Sequence, residues 1–336
     1  MRLFLKSLLS SFVLFALFSV AVYFEYQRFI STPLLLPDTT YRYTVTKGSH
    51  LQKISRDISD AGLSNFPPEY LTFYGRLEKK AHLIKAGEYL IQPNTTLPQL
   101  LEQLIKGDVI QYSITIIEGI KSQHLIDMLI TDKRLTHTLS STLLSDVMKE
   151  IGKAEHHGEG VFLPETYFFT AGTSDKDILQ RAFNMMTETL QKEWNDKAEG
   201  LPYKTPYEAL IMASIIEKET GIAEERTAIS GVFFRRLQKG MRLQTDPTVI
   251  YGMGEHYNGN IRRKDLRKDT LYNTYTRFGL PPTPIALPSK ESLYAALHPA
   301  AGKSLYFVAT GSEGRHQFSN TLIAHNKAVR KYQLKK

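Results

Sequence analysis

Two carboxylates, Glu217 and Glu219, close a segment that is otherwise apolar, YEALIMASIIEKET from Tyr207 to Thr220. Leu210, Ile211, Met212, Ala213, Ile215 and Ile216 surround it on nearly every side, the pattern of a helix inside a protein. Gly221 stands where a left-handed cap would stop that helix. A carboxyl in the last turn of a buried helix is disfavoured as an anion twice over, by desolvation and by the negative end of the helix dipole. Such a group stays protonated near neutral pH, as a general acid for a glycosidic or acyl leaving group must. The alternative, a solvated pair at an exposed helix end, is left open by spacing alone. At roughly 3.6 residues per turn the two side chains point about 200° apart, so one cleft can receive only one of them. Glu219, nearer the carboxyl end, feels the dipole more.

The residues beyond Gly221 supply partners for such an acid. A second amphipathic helix is expected over about Ala223–Lys239, with Ile229, Val232, Phe233 and Leu237 on one side and Gly240 as its stop. Met241–Thr248, MRLQTDPT, is then dense in hydrogen-bonding groups. Pro247 is expected to hold Asp246 extended or in a turn. Polar groups on a loop that a rigid scaffold positions are how sites are commonly built.

The elements around this core divide the 336 residues into several parts. Residues 1–6 form a short basic tail, and 7–25 are free of charge apart from Glu25, long enough for a transmembrane helix. A cleaved signal peptide is the competing reading, with Ser19-Val20-Ala21 as its processing site. The continuation of the apolar run through Val22-Tyr23-Phe24 favours an uncleaved anchor in the inner membrane. Arg2 and Lys6 then keep the N-terminus cytoplasmic and put the body outside, in the periplasm. A linker is expected over 26–40, with Pro33 and Pro37, and a small α/β module over 41–107. Within the module, strands are expected near Tyr43–Thr46 and Lys85–Ile91, and helices from Leu51, over Pro68–Leu77 and over Leu97–Lys106, the last stopped by Gly107.

Residues 108–336 make the larger mixed α/β domain. It opens on a strand over Val109–Ile117 and a helix-rich insertion, with helices over Ser122–Ile130 and Ser140–Ile151. A long amphipathic helix follows over Asp175–Trp194. Past Gly254 the chain reads as irregular up to a strand at Leu305–Thr310 and a last helix near Leu322–Tyr332. His325, on that helix, reads as a surface or capping residue. The class is α+β. With no cysteine, disulfides, cysteine nucleophiles and thiolate zinc sites are excluded. The formal charge of +8 is dispersed and no nucleic-acid motif accompanies it, so an anionic glycan or a membrane surface suits it at least as well as nucleic acid.

ASIIEKET, then Val232-Phe233 and Arg236-Leu237, GMRLQTDPTVIYGMG, Tyr272-Asn273-Thr274-Tyr275 and GLPPTPI resemble the YceG-like family, the endolytic murein transglycosylases of the bacterial envelope. The likeness extends through His298-Pro299-Ala300, Leu305–Ala309 and His325-Asn326. Tyr43–Ile54 resembles the opening of a LysM module, a small glycan-binding fold. The chain departs from the family at Arg235, where Asn is usual, and at Thr283, where Gly is usual.

The resemblance implies cleavage between N-acetylmuramic acid and N-acetylglucosamine, with Glu219 as the single acid–base and a 1,6-anhydro product. It implies no metal and no organic cofactor. By motif position Glu217, Arg242, Gln244, Thr245, Asp246, Tyr251, Asn273 and Tyr275 are expected to bind substrate. Expected partners are peptidoglycan strands, the lipid bilayer and cell-wall synthases of the penicillin-binding type. Two rivals stay open: a hydrolytic muramidase that uses a second carboxylate such as Asp246, and a non-catalytic glycan-binding scaffold.

Overall fold

In the computed structural model, which describes residues 2–37, 39–311 and 314–334, the apolar N-terminal run is one continuous helix, α1 (Arg2–Ser31). Its stretch Leu8–Ser31 is long and apolar enough, by length and composition, to cross a bilayer. Met1 and the side chains of Arg2 and Lys6, on which the expected cytoplasmic tail rests, lie outside the described part. The expected linker does not begin at Tyr26. The helix runs on because Phe29 has a core to enter: it is buried, with its ring 5.5, 5.8 and 5.6 Å from Phe66, Tyr70 and Tyr74. Beyond it Leu34 is buried and donates its N–H to the Thr95 carbonyl at 2.8 Å, while Leu35 donates to Leu63 at 2.8 Å.

The chain divides into two units. The first comprises Met1–Tyr112 with Phe168–Gly172. After α1 it contains β1 (Tyr41–Val45), α2 (Leu51–Asp60), α3 (Pro68–Leu77), β2 (Gly87–Ile91) and α4 (Leu97–Lys106). β1 and β2 pair antiparallel with Tyr43 opposite Tyr89, so that the alternate residues Tyr43, Val45, Tyr89 and Ile91 enter one core. Leu51, Ile54 and Ile58 of α2 enter it at helical spacing, with Leu100, Leu101 and Leu104 of α4. Each of those leucines, truncated to Ala, would cost roughly 2–5 kcal/mol. Thr96 and Gln99 form a reciprocal capping box at the start of α4, and Gly107, at φ 74°, ends it as its sequence predicts.

The second unit comprises Ser113–Tyr167 and Thr173–Lys336. From Tyr112 on, the elements in chain order are β3 (Tyr112–Thr115), α5 (Ser122–Thr131), α6 (Leu144–Glu150), β4 (Thr166–Phe169), α7 (Asp175–Asn195), α8 (Pro206–Glu219), α9 (Arg226–Gln238), α10 (Asp246–Met253), α11 (Arg263–Arg267), α12 (Lys290–Leu297), β5 (Tyr306–Ala309), β6 (His316–Ser319) and α13 (Leu322–Tyr332), of which only the first residue of β3 and the last two of β4 fall in the first unit. β3 pairs with β4, and β5 antiparallel with β6. Helices and short two-stranded sheets make this an α+β chain.

α8 is the central post. Every residue from Ala209 to Ile216 is buried, and α12 packs along it with α7, α9 and α10 against its flanks. Thr205 caps its start by accepting the Glu208 N–H, and Pro206 fills the first turn where no N–H is needed. Ser214, the polar residue midway, donates to Ile211 at 2.7 Å and accepts from the Ile285 N–H at 3.0 Å, which docks the Pro281–Leu287 stretch.

Four local expectations change. The helix expected over Ser140–Ile151 begins only at Leu144, since the Ser140 N–H and hydroxyl are both bound to Glu150 in a loop. Gly221 does not cap α8 in a left-handed conformation; the helix ends where Thr220 turns extended, at φ −148° and ψ 137°. Pro247 does not hold Asp246 out of a helix, because it occupies the first turn of α10, where proline is tolerated. The region past Gly254 is not irregular throughout, since it contains α11, α12 and β6.

Candidate active site

α8 ends on Glu219, whose partly buried carboxyl lines a cavity of about 520 Å³ in the second unit. Burial is the main force on it and raises its pKa from 4.5 to about 7. The negative charge of Asp246 adds to the rise. Two groups oppose it: the Thr245 hydroxyl, which donates a hydrogen bond to Oε1, and the Arg236 guanidinium. The balance leaves a carboxyl that can give or take a proton near neutrality.

Glu217, two residues earlier, is turned elsewhere, as the helical angle requires. Its Oε2 accepts the Ser289 N–H at 2.9 Å and the Ser289 hydroxyl, and Arg226 lies 3.9 Å from Oε1. Ser289 is the N-cap of α12, so Glu217 fastens α12 to α8.

The loop before α10 is held from behind. Thr245 is buried and receives its position from Thr274, whose hydroxyl accepts the Thr245 N–H at 3.1 Å, while Thr248 donates to the Thr245 carbonyl at 2.8 Å. Gln244 sits at φ 50°, a left-handed conformation unusual for a side chain of that kind, and donates its N–H to the Thr274 carbonyl at 3.1 Å. It lines the cavity together with Asp246 and Tyr275. The Tyr275 hydroxyl donates to Asp246 Oδ1 at 2.5 Å; burial first, and that carboxylate second, push the phenol's pKa up.

Of the eight residues expected to bind substrate, Gln244, Asp246 and Tyr275 line the cavity with Glu219. Thr245 stands behind them and serves the acid. The others have different duties. Asn273 is buried, and its amide NH₂ faces the carbonyls of Asp265, Leu266 and Lys268 at 3.2, 3.2 and 2.7 Å, which caps the C-terminal end of α11. Tyr251 donates to buried Glu159 at 3.0 Å, whose other oxygen accepts the Ser122 N–H at 2.8 Å at the start of α5. Arg242 is exposed, its guanidinium 4.6 Å over the Phe278 ring.

The remaining cavity walls were not foreseen. Arg236, buried on α9, donates to the carbonyls of Leu243 and Leu305, each at 2.7 Å, and lies 5.1 Å over the Tyr306 ring. It thus joins the loop before α10 to β5 beside the acid. Tyr306 stacks on His325 of α13 at 5.2 Å. His325 therefore faces the cavity instead of serving as a surface or capping residue. Its Nδ1 is buried with no hydrogen-bond partner among the described residues, and burial first, then Arg236, lower its pKa. His316 of β6 lines the cavity as well, fixed by Glu225, which accepts its N–H at 3.0 Å and contacts Nδ1 at 2.7 Å. Leu305–Ala309 and His325-Asn326 were visible as motifs; reading His325 on its own helix missed what that helix packs against.

The two departures from the family pattern both find hydrogen-bond partners. Arg235 donates to the carbonyls of Ser304 and Ala300 at 2.8 and 2.9 Å. Thr283 is buried, its hydroxyl 2.8 Å from the Tyr272 hydroxyl and from the Pro284 carbonyl.

A model of the YceG-like family matches residues 43–331. An endolytic murein transglycosylase of Bacillus subtilis (strain 168) is 32% identical over 319 residues, which cover 88% of this chain and 85% of that one. An endolytic murein transglycosylase of Streptococcus pneumoniae (strain D39) is 27% identical, with 96% of this chain and 65% of the relative covered. A crystal structure of a YceG-like protein from Listeria monocytogenes matches at a TM-score of 0.53 and 29% identity, over 87% of this chain and 99% of that one.

Proposed function

The chain belongs to the YceG-like family, and from there we propose that it is an endolytic lytic transglycosylase of peptidoglycan, with Glu219 as its single acid–base. The observation that carries this reading is the Glu219 carboxyl: at the end of a buried helix, with a pKa of about 7, on a cavity also lined by Gln244, Asp246 and Tyr275. Protonated Glu219 donates to the oxygen that links N-acetylmuramic acid to N-acetylglucosamine, and the bond from that oxygen to the muramyl anomeric carbon breaks. The carboxylate then takes the proton of the muramyl C6 hydroxyl as its oxygen bonds to the same carbon and closes the 1,6-anhydro ring. The proton returns to Glu219 and no water is consumed. An attached hydroxyl acts at high effective molarity, so this route needs no second carboxylate to activate a nucleophile.

Gln244, Asp246 and Tyr275 contact the sugar's acetamido and hydroxyl groups in this reading. Leu8–Ser31 anchors the protein in the inner membrane with the body in the periplasm, where peptidoglycan strands and cell-wall synthases are its partners. The order β1–α2–α3–β2 in the first unit is consistent with a LysM-like glycan-binding module.

Asp246 shares the cavity and sustains one competing reading, a muramidase in which it activates water. The engagement of Asp246 by Tyr275 weighs against that role. Long uncrosslinked strands digested by the full chain in detergent separate the two by mass, since anhydro ends weigh one water less than reducing ends. Early products should span intermediate lengths, each with one anhydro end; disaccharides from the outset would make the enzyme exolytic. Glu219→Gln should lower the rate by at least roughly 10²-fold, the scale of a lost general acid. More than a tenth of wild-type activity in that variant would remove Glu219 from the role.

A further inference from the structure

The first unit carries an apolar groove of about 470 Å³ for which strand cleavage has no use. Two helices form it: α1 with Val22, Tyr26 and Phe29, and α3 with Phe73, Tyr74 and Leu77. Phe73 and Leu77 stand one turn apart on one face of α3 and are 70% and 63% exposed. Glu25 and Glu69 also line the groove. Glu25 is partnered, by the Tyr70 hydroxyl at 3.1 Å and Arg28 at 3.5 Å.

The depth of this groove follows from α1. A bilayer core takes about 20 helical residues, which from Leu8 ends near Gln27. Val22 and Tyr26 therefore fall at the outer end of the apolar core, and Phe73 and Leu77 of α3, which line the same groove, lie near that height. Phe29 buries itself among Phe66, Tyr70 and Tyr74, so the span enters the unit as a rigid helix and fixes that height. Tyr23, Phe24, Tyr26, Tyr70 and Tyr74 supply the aromatic residues that favour a membrane–water boundary. Arg76 and Lys79, exposed beside Leu77, suit lipid phosphates.

We propose that α3 is an interfacial helix, whose Phe73 and Leu77 enter the outer leaflet of the bilayer that α1 crosses. The proposal rests on the reading of α1 as an anchor. The partner is lipid: acyl chains fill the groove, and the first unit lies on the membrane surface.

The chain has no cysteine, so single labels can be placed cleanly. Full-length Phe73→Cys, Leu77→Cys, Leu14→Cys and Lys47→Cys chains are labelled with the fluorophore NBD and reconstituted in phosphatidylethanolamine–phosphatidylglycerol vesicles with and without lipids brominated on the acyl chains. Labels at 73 and 77 should be blue-shifted and quenched by bromolipid, between the deep label at 14 and the exposed one at 47. Phe73→Glu in the 77-labelled chain should cut that quenching at least two-fold. Labels at 73 and 77 as wet as that at 47 overturn the proposal. Labels that are blue-shifted yet unquenched overturn it too, because a protein surface or a second copy then covers the groove. If the label at 14 is itself unquenched, the anchor reading has failed and the interfacial helix falls with it.

Discussion

Thr245→Val keeps the shape of a buried side chain and removes the hydroxyl that donates to Glu219. That hydrogen bond favours the ionised carboxyl, so its loss must raise the pKa. A hydrogen bond to a charged group is worth roughly 1.5–3 kcal/mol, and one pKa unit corresponds to about 1.4 kcal/mol. The pKa of Glu219 should therefore climb by roughly one to two units from about 7. An acid must be protonated in the free enzyme, so kcat/KM falls as pH rises through that pKa. Wild type should lose activity above about pH 7, and the variant only about one unit or more higher. The assay is the initial rate of anhydro-end formation on long strands, followed from about pH 5.5 to about pH 9.5 to trace the descending limb. Thermal unfolding of both proteins at one acidic pH checks that the fold is unchanged. A descending limb that stays in place, or moves to lower pH, would refute the coupling between Thr245 and the titrating acid.

Glu219→Gln should stabilise the protein in alkali while abolishing activity. The folded carboxyl titrates at about 7 against 4.5, so its stabilising protonation is full below about pH 4.5 and is lost as pH rises through about 7, worth roughly 3 kcal/mol. Urea midpoints should then favour the variant at about pH 8 and not at about pH 4.5. Asn273→Ala leaves the part-buried carbonyls at the end of α11 without their donor and should cost about 1–3 kcal/mol by denaturant unfolding, while activity per folded molecule changes less than about ten-fold. His325→Ala should lower kcat/KM by roughly 10–100-fold with an unfolding midpoint close to wild type, because it alters a cavity wall and removes no core contact of α8; an unchanged rate would show that this wall does not touch substrate.

The parts of this fold that were legible are those where pattern and punctuation agree. α3 and α4 begin and end where proline, capping residues and glycine put them, and α8 is buried all round as its composition demands. Separation of Glu219 from Glu217 needed only the helical angle. Loops were harder. Asp246-Pro247 has the same local chemistry at the start of a helix as in a turn, and what decides between them is the packing of Thr248 against Thr245 and Thr274. Asn273 and Tyr251 carry polar groups suited to a sugar, yet both are consumed by partners within the protein. No local rule shows this, because Asn273 serves carbonyls at the end of α11 and Tyr251 serves a glutamate ninety-two positions away. α1 was misjudged at its far end for a similar reason: the residue that extends it, Phe29, is stabilised by α3.

One wall of the cavity that holds Glu219 is built from the last thirty or so residues, among them Tyr306, His316 and His325. In genetic terms this makes the far 3′ end of the reading frame as sensitive as its centre. A premature stop near codon 300 would spare Glu219, Thr245 and Asp246 together with the motifs around them. The encoded protein would nevertheless lose that wall, and with it part of the burial that raises the carboxyl's pKa. Such an allele should behave as a null in the cell while its product is still made and still carries the signature of the family.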